Sequence, residues 1–145
     1  MWAESLVVAV GILMLATSGC GERREETPQR AYEEFFGVSS ALVREPQEAL
    51  QEALWERLAP ESRDALEERT ALLNASLPEG ARLAPHRLLI GRDTPAGSRI
   101  QRVEVLEQTE REATLRVVLD AGEATVRMLR DADRWTVALP PLPPS

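Results

Sequence analysis

A single histidine is the residue of this chain best suited to acid–base chemistry near neutral pH. His86 lies in the segment Pro85-His86-Arg87, where an imidazole at the mouth of a cavity could act as a general base. No carboxylate that would orient the ring can be recognised from the sequence, and Asp93 lies near Gly91 and Pro95, where aspartate commonly forms turns. The chain has no lysine, which excludes Schiff-base chemistry. We therefore expect His86 to be a loop residue and the chain not to be an enzyme.

The only cysteine follows an apolar run close to the amino terminus. Residues 6–16 are apolar apart from Gly11, and Leu15-Ala16-Thr17-Ser18-Gly19 leads directly to Cys20. This run is too short for a bilayer core, which needs about 20 residues, but it suits the apolar region of a secretory signal. Small residues directly before a cysteine are typical of the lipobox of bacterial lipoproteins, in which the cysteine is acylated. We therefore predict a signal peptide over residues 1–19 and lipidation at Cys20.

Two departures from the usual lipobox pattern leave an alternative open. The segment before the apolar run has no arginine and carries Glu4, and Thr17 stands where leucine is usual. The alternative is an uncleaved anchor, or an ordinary signal peptide in which Cys20 is incidental. If Cys20 is acylated, its thiol is consumed, and no second cysteine is present to form a disulfide. One histidine without a free thiol does not make a zinc cluster, so we expect no metal and no cofactor.

Charge and length restrict the partners and the number of domains. The chain has 24 acidic residues against 17 arginines, which gives a formal net charge of −7. Scattered arginines in an acidic chain do not form the basic stripe that binds phosphate backbones, so we expect no nucleic-acid partner. Residues 20–145 are enough for one domain with its own core. We predict a tether over residues 20–26, one domain over residues 27–139 and a proline-rich tail over residues 140–145.

The first half of the domain is predicted to be helical. Thr27 and Pro28 favour the N-cap and the first position of a helix, and Pro46 and Pro60 are expected to open two more. We expect Pro78 to stop the third helix, and the later run Leu88-Leu89-Ile90 to form a short strand. Apolar residues recur at helical spacing: Ala31, Tyr32, Phe35, Phe36 and Leu42 in the first segment, Leu50, Ala53, Leu54 and Leu58 in the second, and Leu66, Leu73 and Leu77 in the third.

After residue 98 the apolar period changes from helical spacing to alternation, which indicates strands packed on one side. Turn-like connections at residues 120–123 and 131–134 predict hairpins. Helices followed by a meander predict an α+β fold, with two or three N-terminal helices packed on one face of an antiparallel sheet of about four strands. The alternating apolar residues are Val103 and Val105, then Leu115, Val117 and Leu119, then Val126 and Met128, and finally Trp135, Val137 and Leu139.

Three short motifs carry a resemblance to a known family. They are Thr27-Pro-x-x-Ala31-Tyr32, Trp55-x-x-Leu58-x-Pro60-x-x-Arg63-x-x-Leu66 and Asp133-Arg134-Trp135-x-Val137. In these motifs, residues 27–139 resemble small bacterial lipoproteins of the nuclear-transport-factor-two-like (cystatin-like) superfamily. The resemblance implies that the helical layer packs on a curved antiparallel sheet whose last strand begins at Arg134-Trp135. That fold hosts enzymes, ligand-binding cones and adaptors, so it does not assign a function.

The aromatic residues are the candidate lining of an apolar pocket. They could surround a small-molecule site between helices and sheet, or they could simply fill the core of a chain that has few aromatics. The residues are Tyr32, Phe35, Phe36, Trp55 and Trp135.

The polar face of the predicted sheet is a second candidate surface. Arg102, Arg116 and Arg127 are expected on it, beside Glu104 and other polar residues. This face could bind an anion, an envelope protein or a second copy of the chain. The alternative is a solvated face on which cross-strand pairs satisfy these charges.

Together these features predict a lipoprotein of the cell envelope that faces the periplasm and is held to the membrane through lipid on Cys20. Its domain is expected to be a non-catalytic binding or assembly accessory. Gly21, rather than aspartate, follows Cys20, which favours the outer membrane by analogy with lipoprotein sorting in enteric bacteria. The alternatives are a binding cone for a small apolar ligand and a cryptic enzyme that uses His86.

Overall fold

Three helices precede a sheet of four strands in the structure, a computed structural model that describes residues 25–89 and 97–141. The predicted α+β fold is confirmed. The predictions for residues 1–24, including Cys20, for Ile90 and Asp93, and for residues 142–145 of the tail lie outside the described residues. The elements are α1 (Pro28–Arg44), α2 (Glu48–Glu56), α3 (Pro60–Asn74), two 3₁₀ turns (Glu79–Ala81 and Pro85–Leu88), β1 (Ile100–Gln108), β2 (Glu112–Leu119), β3 (Gly122–Asp131) and β4 (Arg134–Ala138).

Helix α1 begins where the sequence predicts. The Thr27 backbone is extended and its hydroxyl accepts a hydrogen bond from the Arg30 amide at 3.3 Å, which satisfies one of the free N–H groups of the first turn. Pro28 follows at the start of the helix, where its missing N–H costs nothing. Ala31 and Tyr32 are buried against the sheet, so α1 lies across one sheet face and fixes the position of the amino-terminal residues.

Helices α2 and α3 differ from the prediction at two boundaries. Helix α2 begins at Glu48 rather than at Pro46, because Gln47 still has extended backbone angles. Helix α3 begins at Pro60 as predicted but ends at Asn74, whose side chain bonds both the amide and the carbonyl of Leu83 at 2.8 and 2.9 Å. These bonds turn the chain back before Pro78. Leu73, which the helical spacing places on the apolar face of the third helix, is therefore 42% exposed.

The sheet is an antiparallel meander in the order β1-β2-β3-β4, as the alternating pattern predicts. Leu115 at its centre pairs with Val105 on one side and with Val126 on the other. Leu115, Val117 and Met128 are fully buried on the face that α1 covers. The predicted strand at residues 88–90 is wrong for its described part, because Pro85–Leu88 forms a 3₁₀ turn.

The outer edge of β4 is closed by other parts of the chain. Residues 57–59 run parallel to β4, where the Val137 amide donates to the Arg57 carbonyl at 2.9 Å and the Val137 carbonyl accepts from Ala59 at 2.8 Å. An open strand edge invites pairing with other chains, and such coverage prevents it. The neighbouring outward amides are also satisfied: Leu139 donates to Ser62 Oγ and Trp135 donates to Glu26 Oε2, both at 2.9 Å.

The apolar side chains form two clusters. The first lies between α1 and the sheet and contains Tyr32, Leu115 and Trp135, among other residues. The second lies between the helices and the turn Pro85–Leu88, and it includes Leu58, which has no exposed surface. Phe35 of α1 packs against both clusters, so this helix joins the two halves of the domain.

Candidate functional site

The aromatic residues divide between the two clusters. Tyr32 is buried, and its ring centroid lies 6.0 Å from that of Phe35 and 6.3 Å from that of Phe36. These three side chains share the first cluster with Trp135, whereas Trp55 packs against the second. Burial raises the pKa of the Tyr32 phenol. The structure therefore brings four of the five predicted pocket residues together in the first cluster and places Trp55 at the second, which Phe35 also contacts.

An open depression of about 600 Å³ lies at one end of the sheet. None of the five aromatic side chains lines it. Its walls are charged, and its lining residues are Glu25, Glu110, Arg111, Arg130 and Ala132. This arrangement suits polar or charged groups rather than an apolar ligand.

Two adjacent glutamates fasten the amino-terminal segment beside this depression. Glu26 accepts the Trp135 amide at 2.9 Å, and Glu25 accepts a hydrogen bond from the Arg130 guanidinium at 3.2 Å. The same guanidinium lies 5.9 Å from the centroid of the Trp135 ring, within the range of a cation–π contact. No local sequence pattern marks these two glutamates, because they lie more than 100 residues before their partners along the chain.

We call this part of the molecule the hairpin end. It consists of Glu25 and Glu26 with the two turns at residues 109–111 and 131–134. The turns lie at the same end of the sheet because β1 finishes beside the start of β2, and β3 finishes beside the start of β4. The turn at residues 120–121, between β2 and β3, lies at the opposite end.

His86 has a carboxylate partner that the sequence did not reveal. Its Nε2 atom lies 3.3 Å from Glu48 Oε1, and Arg87 donates to the same oxygen at 3.2 Å. Hydrogen bonding to His86, and then to Arg87, lowers the pKa of Glu48. Glu48 is therefore the carboxylate partner that could not be recognised from the sequence. No spacing pattern signals this contact, since it forms only when the turn Pro85–Leu88 packs beside α2.

The same cluster is the place where described residues could approach a metal ion. Glu48, Glu52 and His86 each offer one ligand atom within 4.8 Å of the others. Carboxylate and imidazole ligands bind zinc at about 2.0–2.2 Å, so these side chains would have to close inward. A metal would also compete with Arg87 for the Glu48 carboxylate. The contacts present describe an exposed ion-pair cluster that links α2 to the turn Pro85–Leu88.

The outer sheet face carries a network of ion pairs. Arg116 binds Glu123 at 2.9 Å and lies 3.8 Å from Glu104, which also pairs with Arg102 at 2.8 Å. Hydrogen bonding from Arg116 lowers the pKa of Glu123. The arginines that were candidates for anion binding on this face are thus engaged within the chain, as expected for a solvated face with cross-strand pairs.

Arg127 extends this network to the helices. Its Nε atom lies 2.6 Å from Glu112 of β2, and its Nη1 atom lies 2.7 Å from Glu61 of α3. All three side chains are about half exposed, so each pair is worth roughly 0–1 kcal/mol. The two ion pairs link α3 to the outer face of the sheet.

Comparison with protein-family models, with curated proteins and with solved structures gives no match to this chain. Among the described residues, none of the helices combines the length and the hydropathy needed to cross a bilayer.

Proposed function

We propose that this chain is a lipoprotein of the bacterial cell envelope, anchored through lipid on Cys20, whose domain is a non-catalytic binding or assembly accessory. The observation that carries the proposal is the segment Leu15-Ala16-Thr17-Ser18-Gly19-Cys20 at the end of an apolar run. A lipobox cysteine carries more than one acyl chain, which gives stable rather than marginal membrane binding.

The start of the domain agrees with a short membrane tether. Only four residues separate Cys20 from Glu25, the first residue that the structure describes and one that already bonds the sheet. An acylated Cys20 would therefore hold the domain close to the lipid surface. The order of helices followed by a one-sided meander is also the order that the cystatin-like resemblance implies.

Fractionation of cells that express the full chain tests the anchor. We expect the wild-type chain to sediment with membranes, to resist extraction by high salt and to incorporate a labelled fatty acid. The Cys20→Ser variant should lose both the label and the salt-resistant association. Separation of the two membranes on a density gradient tests the outer-membrane assignment that Gly21 favours. A Cys20→Ser variant that still sediments and resists salt would refute lipid anchoring.

A small apolar ligand is the second candidate, and the inner sheet face is the observation that favours it. Phe36, Val103 and Val105 pack against the first cluster but remain only partly buried, so apolar surface stays accessible beside α1. Native mass spectrometry of the full chain in detergent tests this. A stoichiometric small molecule that is lost on Val103→Glu substitution would support the ligand-binding cone, whereas a bare protein mass would favour the assembly accessory.

A further inference from the structure

The fastened amino-terminal segment restricts which part of the domain can meet the membrane. This inference rests on the proposed lipid anchor. Glu25 and Glu26 are held at the hairpin end by Arg130 and by the Trp135 amide. The anchor therefore holds the hairpin end near the membrane, and the position of the hairpin end limits where the rest of the domain can lie.

The tether is shorter than the length of strand β3. Five residue steps lead from Cys20 to Glu25, and an extended chain covers at most about 3.6 Å per step, or about 18 Å. Strand β3 has ten residues, which corresponds to about 33 Å at a strand rise of about 3.3 Å. The hairpin end thus stays within about 18 Å of the acylated cysteine, and the turn at residues 120–121 lies a further strand length away.

Charge favours end-on contact over a domain lying on its sheet face. The side chains of Arg111 and Arg134 make no ion pair or hydrogen bond within residues 25–89 and 97–141, whereas Arg102, Arg116 and Arg127 on the outer face are all paired. Free guanidinium groups bind phosphate oxygens through two parallel hydrogen bonds. The hairpin end also carries exposed carboxylates on Glu110 and Asp131, which complement headgroup ammonium groups.

We propose that the hairpin end docks on the membrane surface and that its partner is a layer of zwitterionic phospholipid headgroups. Arg111 and Arg134 bind headgroup phosphates, and the neighbouring carboxylates bind headgroup amines. Each contact is weak, but the tether raises the effective concentration of the surface to the millimolar range or above. The turn at residues 120–121, at the opposite end of the sheet, then faces away from the membrane.

Single-cysteine labelling measures this orientation in the full acylated chain. Acylation consumes the only native thiol, so a fluorescent donor can be placed uniquely on Asp133→Cys at the hairpin end or on Ala121→Cys at the opposite end. Both positions are exposed. Each protein is reconstituted in vesicles of phosphatidylethanolamine and phosphatidylcholine that contain a headgroup-linked energy acceptor. We expect severalfold stronger energy transfer from residue 133 than from residue 121.

Two variants separate the tether from the headgroup contacts. Insertion of about ten glycine and serine residues after Gly21 triples the maximum extended length of the tether, from about 18 to about 54 Å, and should reduce the difference between the two labels. The double variant Arg111→Gln, Arg134→Gln should reduce it also, whereas the matched double variant Arg102→Gln, Arg116→Gln on the outer face should not. Addition of phosphatidylglycerol should weaken docking, because carboxylates outnumber arginines at the hairpin end.

Flotation of the same vesicles distinguishes a failure of the lipid anchor from a failure of headgroup docking. Protein that does not float with the vesicles refutes the lipid anchor, and the docking proposal fails with it. Protein that floats but gives equal transfer from both labels, or stronger transfer from residue 121, refutes the docking proposal and leaves the anchor intact. Stronger transfer from residue 133 as phosphatidylglycerol increases would contradict the zwitterionic partner.

Discussion

Replacement of Glu26 by alanine should destabilise the domain far more than the same change at Glu25. Glu26 accepts the amide of Trp135, a residue with only 5% of its surface exposed. Glu25 pairs with Arg130, but the Glu25 side chain is 80% exposed. Glu25 and Glu26 are consecutive residues just before the amino terminus of α1, so both carboxylates interact with the helix dipole to a similar extent.

The structure gives the expected magnitudes. A hydrogen bond to a charged group contributes about 1.5–3 kcal/mol, and its loss leaves the Trp135 N–H without a partner at the edge of β4. Glu26 is itself partly exposed, so water can replace part of the bond, and we expect Glu26→Ala to lower the free energy of unfolding by about 2 kcal/mol. An exposed ion pair contributes roughly 0–1 kcal/mol, so Glu25→Ala should cost below about 0.5 kcal/mol.

Thermal unfolding of the full chain in detergent, followed by circular dichroism, measures both changes. For a domain of this size, 1 kcal/mol corresponds to roughly 4 °C in Tm, so Glu26→Ala should lower Tm by about 8 °C. Glu26→Gln keeps an acceptor oxygen and should recover about half of the loss. Equal Tm values for the Glu25 and Glu26 alanine variants would refute the reasoning, since the amino-terminal segment would then not be fastened through Trp135.

Four further outcomes follow from the core, the turn and the titrating groups. Leu115→Ala removes a fully buried side chain and should lower the free energy of unfolding, measured by denaturant titration, by about 2–5 kcal/mol. Leu72→Ala, at a position 67% exposed, should change the free energy of unfolding by less than about 0.5 kcal/mol. Ala132 has a φ of 53° in the hairpin turn, so Ala132→Gly should raise Tm by relieving about 1 kcal/mol of strain. Burial raises the pKa of Tyr32 above its ordinary value of 10.0, so the neutral phenol stabilises the fold below pH 10.0, and this stabilisation is lost as pH rises through the folded pKa. The phenolate absorbance of this single tyrosine should therefore appear only at higher pH or together with unfolding. Tyr32→Phe should remove the loss of stability at alkaline pH. Hydrogen bonding from Arg116 lowers the pKa of Glu123 from 4.5, so this pair stabilises the fold above pH 4.5, and the stabilisation is lost as pH falls through the folded pKa. Glu123→Gln should therefore flatten the decline of Tm in that acid range. An unchanged slope of Tm against pH would contradict this contribution of Glu123.

Local patterns were sufficient to predict the fold class because α1 and the strands of the sheet follow their own sequence rules. Thr27 and Pro28 start α1, and the alternation of Leu115 and Val117 places one face of β2 in the core. Turn residues at 131–134 join neighbouring strands. Such signals depend on residues close together in sequence, which is why the helix-then-meander order could be predicted.

Contacts between distant segments could not be predicted in this way. The parallel bridge of Leu58 to Val137, the Glu26 contact with Trp135 and the Glu48 contact with His86 join residues 38 or more positions apart. Each depends on how two elements dock, and no local spacing encodes it. The exposure of Leu73 could not be predicted for the same reason, since the turn at Asn74 and Leu83 leads the chain away from that face of α3.

Intact mass of the full chain purified from membranes, beside the Cys20→Ser variant, tests the central claim most directly. Lipid anchoring predicts a polypeptide that begins at Cys20 and carries the mass of a diacylglyceryl group plus one further acyl chain, and a variant that carries no lipid mass. A wild-type mass that begins at Met1, or a processed chain without lipid, would contradict the anchor. That result would also return the Cys20 thiol to the groups of this chain that could take part in chemistry.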